Sequence, residues 1–253
     1  MPKIEVAEQP GVGLDGKPRP TEDRVALLDN AVLVLDGATS PDPTRALGGW
    51  YAGQLAERLA DALRASPDGD LADLLGGAIS AVVREHGLRP RDSPSSTVAM
   101  LRWTEDRIDG LVLADSPIVA FGHSGYEVLA DGRLASLRRQ RKLINEKDVY
   151  ARRNTEGGFW VAEADPGAAR HAMRRSWPAG TLESVFLATD GVSDGVDDYR
   201  IFDWPGALEI ARTRGVFAVL EAVRAAENAD PHGERWPRSK RHDDQALVMV
   251  DFR

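Results

Sequence analysis

The sequence has no cysteine, which excludes disulfides, thiolate nucleophiles and Cys-ligated zinc. Its histidines number only five, and His86, His123, His171 and His232 have no partner at helical metal-ligand spacing. No apolar run approaches the roughly 18 residues that cross a bilayer. The opening "MPKIEVAEQPGVG" lacks the basic-then-apolar order of a secretion signal. No membrane contact and a cytoplasmic location are therefore expected. A net charge of −8 lacks the basic footprint of a dedicated nucleic-acid binder. The glycines of "EVAEQPGVGLDGKPRP" lack the spacing and following helix of a phosphate loop. There is no internal repeat and no low-complexity tract.

What is present suits a folded domain. Of 253 residues, 42% are hydrophobic and 28% charged, enough for a real core. One domain over 1–253 is expected, with a basic, irregular insert around 136–180. "KIEVAEQ" and "RVALLDNAVLVLDG" read as strands, the second a hairpin turning at Asp29-Asn30. Leucines at fourfold spacing predict a helix over Thr44–Ala65, and a second helical period runs over Leu71–Val83. "STVAMLRW", "RIDGLVLAD", "PIVAFG" and "YEVLA" are strands with linkers too short for helices, so an antiparallel meander is expected. "TLESVFLATDG" is another strand. Leu208–Glu227 is helical, in two pieces broken at Gly215, and "DQALVMVDF" closes the chain as a strand. This order is not the βαβ alternation of a doubly wound sheet. It predicts an α+β protein with antiparallel sheet covered by helices.

Three apolar strands end in a carboxylate: "AVLVLDG" at Asp36, "LVLAD" at Asp115 and "FLATDG" at Asp190; "HDD" precedes the last strand. Aspartates are common turn formers. If the strand ends converge, however, unpaired carboxylates about 4 Å apart repel by roughly 1–4 kcal/mol. A divalent cation converts that repulsion into attraction, and a set of oxygen donors favours hard ions such as Mg²⁺ or Mn²⁺. Around this acidic centre the charge is uneven. "RLASLRRQRKLINEKDVYARRN", "RHAMRR" and "ERWPRSKRH" are basic, either solvated faces or a positive rim for an anionic substrate.

The motifs together resemble those of metal-dependent protein Ser/Thr phosphatases of the PP2C (PPM) type, in a bacterial form. "TEDR", "VLDGAT", "SSTVAML", "LVLADSPIVAF", "LATDGVSD" and "HDDQALVMV" occur in the family's order across nearly the whole chain. The resemblance implies a sandwich of two antiparallel sheets flanked by helices. It also implies two bound Mg²⁺ or Mn²⁺ ions, with Asp36 bridging them and the Gly37 carbonyl, Asp190 and Asp243 completing the pair. Asp23 would hold a metal-bound water, and Asp115 and Asp194, with Asp190, match a third, weaker site. The implied reaction is direct hydrolysis of phosphoserine or phosphothreonine in a phosphorylated protein; separately, a monomer is expected.

The chain also departs from the family pattern. Where members often carry a leaving-group His after Asp-Gly, it has Ala38, Thr39 and Ser40. The usual phosphate-binding Arg position is Pro18, so Arg19 is the candidate for that role. Pro117 and Ala246 replace a usual Arg and Thr. These departures keep a second reading open: a slow or inactive, metal-binding regulator or scaffold. A haloacid-dehalogenase-type phosphatase is set aside, because its second Asp falls at Ala38 and its parallel βα units are missing.

Overall fold

Strands that read as unbroken apolar runs are those covered on both faces. In the computed structural model, which describes residues 1–12, 17, 19–38, 48–238 and 240–253, ten strands and seven α-helices are formed among the described residues. In chain order they are β1 (Lys3–Gln9), β2 (Asp23–Leu28), β3 (Ala31–Asp36), α1 (Gly48–Ala65), α2 (Leu71–His86), β4 (Val98–Trp103) and β5 (Arg107–Leu113). Then come β6 (Ile118–Gly122), β7 (Gly125–Leu129), α3 (Arg133–Arg139), α4 (Glu146–Arg152), a 3-10 turn (Pro166–His171), β8 (Met173–Pro178) and β9 (Leu182–Ala188). The chain ends with α5 (Asp190–Asp197), α6 (Trp204–Arg214), α7 (Phe217–Ala229) and β10 (Gln245–Asp251). Residues 44–47 of the expected first helix, Pro18, Thr39 and Ser40 lie outside the described residues.

Two antiparallel five-stranded sheets result, ordered β1-β10-β9-β6-β7 and β2-β3-β4-β5-β8. Alternation along β3 shows how they stack. Val32 and Val34 join Ala99, Leu101, Val112, Leu187, Val248 and Val250 in the layer between the sheets. Leu33 and Leu35 face outward, onto Tyr51, Leu55 and Leu59 of α1 and Leu75 and Ile79 of α2. On the far side Phe186, Leu247 and Met249 pack against Trp204, Leu208, Val219 and Leu220 of α6 and α7. The fold is thus the α+β sandwich of two antiparallel sheets flanked by helices that the sequence predicts.

The expected four-strand meander is corrected in one respect. β4 and β5 pair in one sheet, but β6 pairs with β7 and β9 in the other. Between β5 and β6 the chain changes sheets. Ala114 takes a left-handed backbone (φ 70), which turns the chain away, and Pro117 has no N–H to continue the ladder. Within 136–180 the chain forms α4, the 3-10 turn and edge strand β8. Asn145 and Asp148 cap the start of α4 reciprocally. The predicted break at Gly215 is there, where φ is 90 between α6 and α7. Among the described residues no helix is long and apolar enough to cross a membrane.

Candidate metal centre

The Asp29-Asn30 turn of the β2–β3 hairpin fixes a register in which Asp23 and Asp36 stand directly opposite each other. In such a pair the Cα atoms are about 4.5–5.5 Å apart and the side chains share a face. Like charges there weaken a sheet. The sequence nevertheless builds several supports around the Asp36 backbone. Thr97 Oγ1 accepts from the Asp36 N–H (3.0 Å), while Ser96 Oγ and the Thr97 N–H donate to the Asp36 carbonyl (both 2.9 Å). Ser116 Oγ shares a 2.6 Å hydrogen bond with Thr97 Oγ1, tying in the "ADS" crossover. Gly37 follows because no side chain fits: a Cβ there would lie 2.3 Å from the Gly48 backbone at the start of α1.

The second half of the centre comes from the other sheet. β9 and β10 run side by side, with Ala188 opposite Leu247. This brings the start of α5, with Asp190, beside the approach to β10, with Asp243. Gly191 permits the contact, since a Cβ on it would fall 1.9 Å from the Asp244 carbonyl. Thr189 stitches the halves together. It sits at the N-cap of α5, yet its hydroxyl does not cap the helix. It donates instead to Asp23 Oδ2 (2.9 Å) and accepts from the Ala246 N–H (3.0 Å). Asp23 Oδ1 is buried and has no hydrogen-bond partner.

The electrostatics record how close these groups are. Burial, then the charges of Asp190, Asp23 and Asp243, push Asp36 well above the usual carboxylate range. Burial, then Asp244, Asp190 and Asp243, do the same to Asp23, against the Thr189 hydrogen bond. Asp190 is pushed up to about 7 by burial, Asp243 and Asp115. Asp194, one helical turn along α5, is pushed up to about 9 by burial, Asp190, Asp198 and Asp243. Asp115 rises through burial, with Arg138 opposing it from 3.8 Å. Asp36, Asp190, Asp243, Asp23, Asp115 and Asp194 therefore share one electrostatic neighbourhood. Arg19 has an exposed side chain, and its N–H bonds the carbonyl of Gly11 (3.4 Å), whose own N–H bonds Asp244 (2.6 Å).

Three participants escaped the sequence reading of roles. Asp244 is buried and accepts from the Gly11 N–H (2.6 Å) and the Glu22 N–H (3.1 Å), pinning both early segments to the last strand. Its place beside Asp243 in "HDD" is the signal that it had been drawn into the centre. Thr189 gave no signal beyond preceding the Asp. Lys240 was hidden in the basic run "ERWPRSKRH". Its Nζ lies 2.6 Å from Asp243 Oδ1. Burial works against the ammonium, but Asp243, Asp36 and Asp190 lift it above its ordinary range, so it stays charged.

Behind Asp243 is a buried polar girder. Arg224 donates to the Asp243 carbonyl (3.0 Å) and Gln245 Oε1 (3.2 Å), and Gln245 Nε2 donates to the Gly191 carbonyl (2.9 Å). His242 Nδ1 and Glu227 Oε2 are 2.9 Å apart. Burial and three flanking arginines hold His242 down at about 4, while burial lifts Glu227 to about 7. Neither group readily takes up its charge in this buried place, and the donor of the contact depends on the imidazole tautomer.

Whether the centre suits hard divalent ions can be judged on this chain alone. The donors are all oxygens, several are desolvated and mutually repelling, and one oxygen of Asp23 is buried without a partner. These properties fit such ions. Among the described residues, no three His, Cys, Asp or Glu side chains are drawn together tightly enough to form a ready cage.

Two antiparallel sheets are stacked between helices, and carboxylates from the strand ends of both are collected on one side. The chain belongs to the protein phosphatase 2C family, whose model matches residues 19–228. It is similar in structure to the catalytic domain of the serine/threonine protein phosphatase PstP in complex with 2 manganese ions (TM-score 0.63, 14% identity, 99% of this chain and 97% of that one). Similar too are the PPM Ser-Thr phosphatase MsPP from Mycobacterium smegmatis in complex with cacodylate (0.61, 14%, 98% and 97%) and the serine/threonine phosphatase Stp1 from Staphylococcus aureus (0.63, 10%, 100% and 96%). At these identities the likeness concerns the fold alone. No curated protein sequence matches the chain closely enough to count as a relative.

Proposed function

We propose that this chain is a metal-dependent protein phosphatase that hydrolyses phosphoserine and phosphothreonine with an activated water. The observation that carries the reading is the convergence of three segments distant in sequence: Asp36 stands opposite Asp23, Asp23 is bonded by Thr189 beside Asp190, and Gly191 packs against Asp243 and Asp244. Asp36, the Gly37 carbonyl, Asp190 and Asp243 are the proposed ligands of two Mg²⁺ or Mn²⁺ ions; Asp115 and Asp194, with Asp190, are those of a third. When bound, such ions lower the pKa of water and neutralise phosphoryl oxygens.

The chain's own groups supply the rest. Asp23, with its free Oδ1 and its other oxygen fixed by Thr189, orients the attacking water. Water adds to phosphorus in line as the P–O ester bond breaks, and the seryl or threonyl oxygen leaves with a proton. Ala38 cannot deliver that proton, so a leaving group that needs none is favoured. Arg19 and the basic residues of α3, among them Arg138 beside Asp115, receive the phosphate and its acidic surroundings.

Hydrolysis of p-nitrophenyl phosphate and of a phosphothreonine peptide, each with Mn²⁺, Mg²⁺ or EDTA, tests this reading. Metal-dependent turnover that EDTA abolishes is expected, with the aryl ester cleaved faster. The second reading, a metal-binding regulator without turnover, is favoured by Ala38; it predicts Mn²⁺ binding with neither substrate cleaved.

A further inference from the structure

The acidic centre already contains a cation of its own. Lys240 Nζ is 2.6 Å from Asp243 Oδ1, and the lysine side chain is only 27% exposed. Its charge also acts on Asp36 and Asp190. Arg138 serves the opposite, Asp115 side from 3.8 Å with an exposed side chain. Asp243 Oδ1 additionally accepts from the Asp244 N–H (2.8 Å), so the oxygen nearest the ammonium is doubly engaged. A divalent ion drawn to Asp243 must share the carboxylate with the ammonium or displace it. The ammonium is tethered three residues away, which gives it a local concentration that no free monovalent ion matches.

We propose that Lys240 is a built-in competitor for the divalent ion at Asp243. It offsets part of the centre's negative charge when metal is scarce and raises the metal concentration needed to fill it. The inference rests on the metal reading above. Its consequence is a site that loads only when divalent metal is plentiful, and that releases a flexible ammonium at the rim once loaded. Lys240 is thus a positioning and tuning residue, and its effect is on ion occupancy.

Equilibrium Mn²⁺ binding, measured by calorimetry on the full chain, tests the inference in the wild type, Lys240→Met and Lys240→Arg, alongside thermal unfolding in EDTA and in Mn²⁺. Lys240→Met is expected to bind Mn²⁺ about five- to tenfold more tightly, the scale of one nearby charge at a partly exposed site. It should also melt earlier in EDTA and gain more from added Mn²⁺. Lys240→Arg, which keeps the charge, should stay close to the wild type in affinity. If Lys240→Met proves unfolded by circular dichroism, Lys240→Gln supplies the same comparison. Unchanged or weaker Mn²⁺ binding in a folded neutral variant, beside a wild type that binds, overturns the competitor role alone. A wild type that binds no Mn²⁺ overturns the metal reading and this inference with it.

Discussion

Two cross-strand pairs in one sheet treat buried carboxylates in opposite ways. On β4 and β5, Arg102 stands opposite Asp109. The guanidinium reaches Asp109 Oδ2 at 2.7 Å and also donates to the Pro67 and Gly69 carbonyls. Arg107 and Ser176 add hydrogen bonds of 2.9 and 2.6 Å. Burial works against the Asp109 charge, but these donors outweigh it and hold the carboxyl below its usual range. On β2 and β3 the opposed residues are Asp23 and Asp36, two like charges, both held far above that range. The same sheet can satisfy a buried acid fully. Where it leaves several unsatisfied together, their repulsion is one that a bound cation would relieve.

The contrast is broken most severely at its balanced pole. Arg102→Ala leaves Asp109 buried with reduced compensation, and a loss of about 3–5 kcal/mol in unfolding free energy is expected, with Mn²⁺ affinity unchanged. Denaturant melts and calorimetry read both quantities. At the unbalanced pole Asp36→Asn should act in reverse. Outer-shell partners of metal ligands cost about 10–100-fold when lost, so removal of the proposed bridging carboxylate should cost more than about 100-fold in metal-dependent hydrolysis. In EDTA the same variant should be at least as stable as the wild type, because a group whose ionisation is opposed by burial and by Asp190, Asp23 and Asp243 has gone. A variant that lost stability in EDTA while keeping its activity would undo the comparison.

Smaller effects sharpen it. Gly191→Ala drives a methyl into the Asp244 carbonyl, and the backbone shift that follows should cost about 1–3 kcal/mol and weaken Mn²⁺ binding. The gentlest probe is pH in the presence of EDTA. Native Asp190 (about 7) and Asp194 (about 9) retain protons that the unfolded chain has released near its ordinary carboxylate value of about 4. The native state then binds more protons than the unfolded one, so stability falls as pH rises toward 9. His242, depressed to about 4 in the native state, contributes a rise over the interval up to about 6.5. A continuous decline in melting temperature is therefore expected from about pH 6.5 to 9. Saturating Mn²⁺, by keeping the carboxylates ionised, should flatten it; a flat profile in EDTA would count against the crowding of the acids.

Much of this was legible in the sequence wherever one residue's chemistry dominated. Asp-Asn between apolar strands announced the hairpin, and Asp-Gly at strand ends announced the convergence of acids. What stayed hidden depended on partners far along the chain. β8 reads as "MRRSWP" because an edge strand buries little, here only Trp177. α5 was disguised by its glycines and acids, which the contact with Asp244 and the site itself demand. The change of sheet after β5 turns on a left-handed Ala114 that no propensity foretells. Lys240 looked like one more surface cation until the fold carried it to Asp243.

Asp244 holds Gly11 and Glu22 by their backbones, while β1 lies along β10. The centre is therefore closed by residues separated by more than two hundred positions. During synthesis on a ribosome, a nascent chain that has not yet released its last strand has neither Asp243 in place nor the early loop tethered. Any activity the centre confers thus depends on the early segment and β10 having both been made and joined.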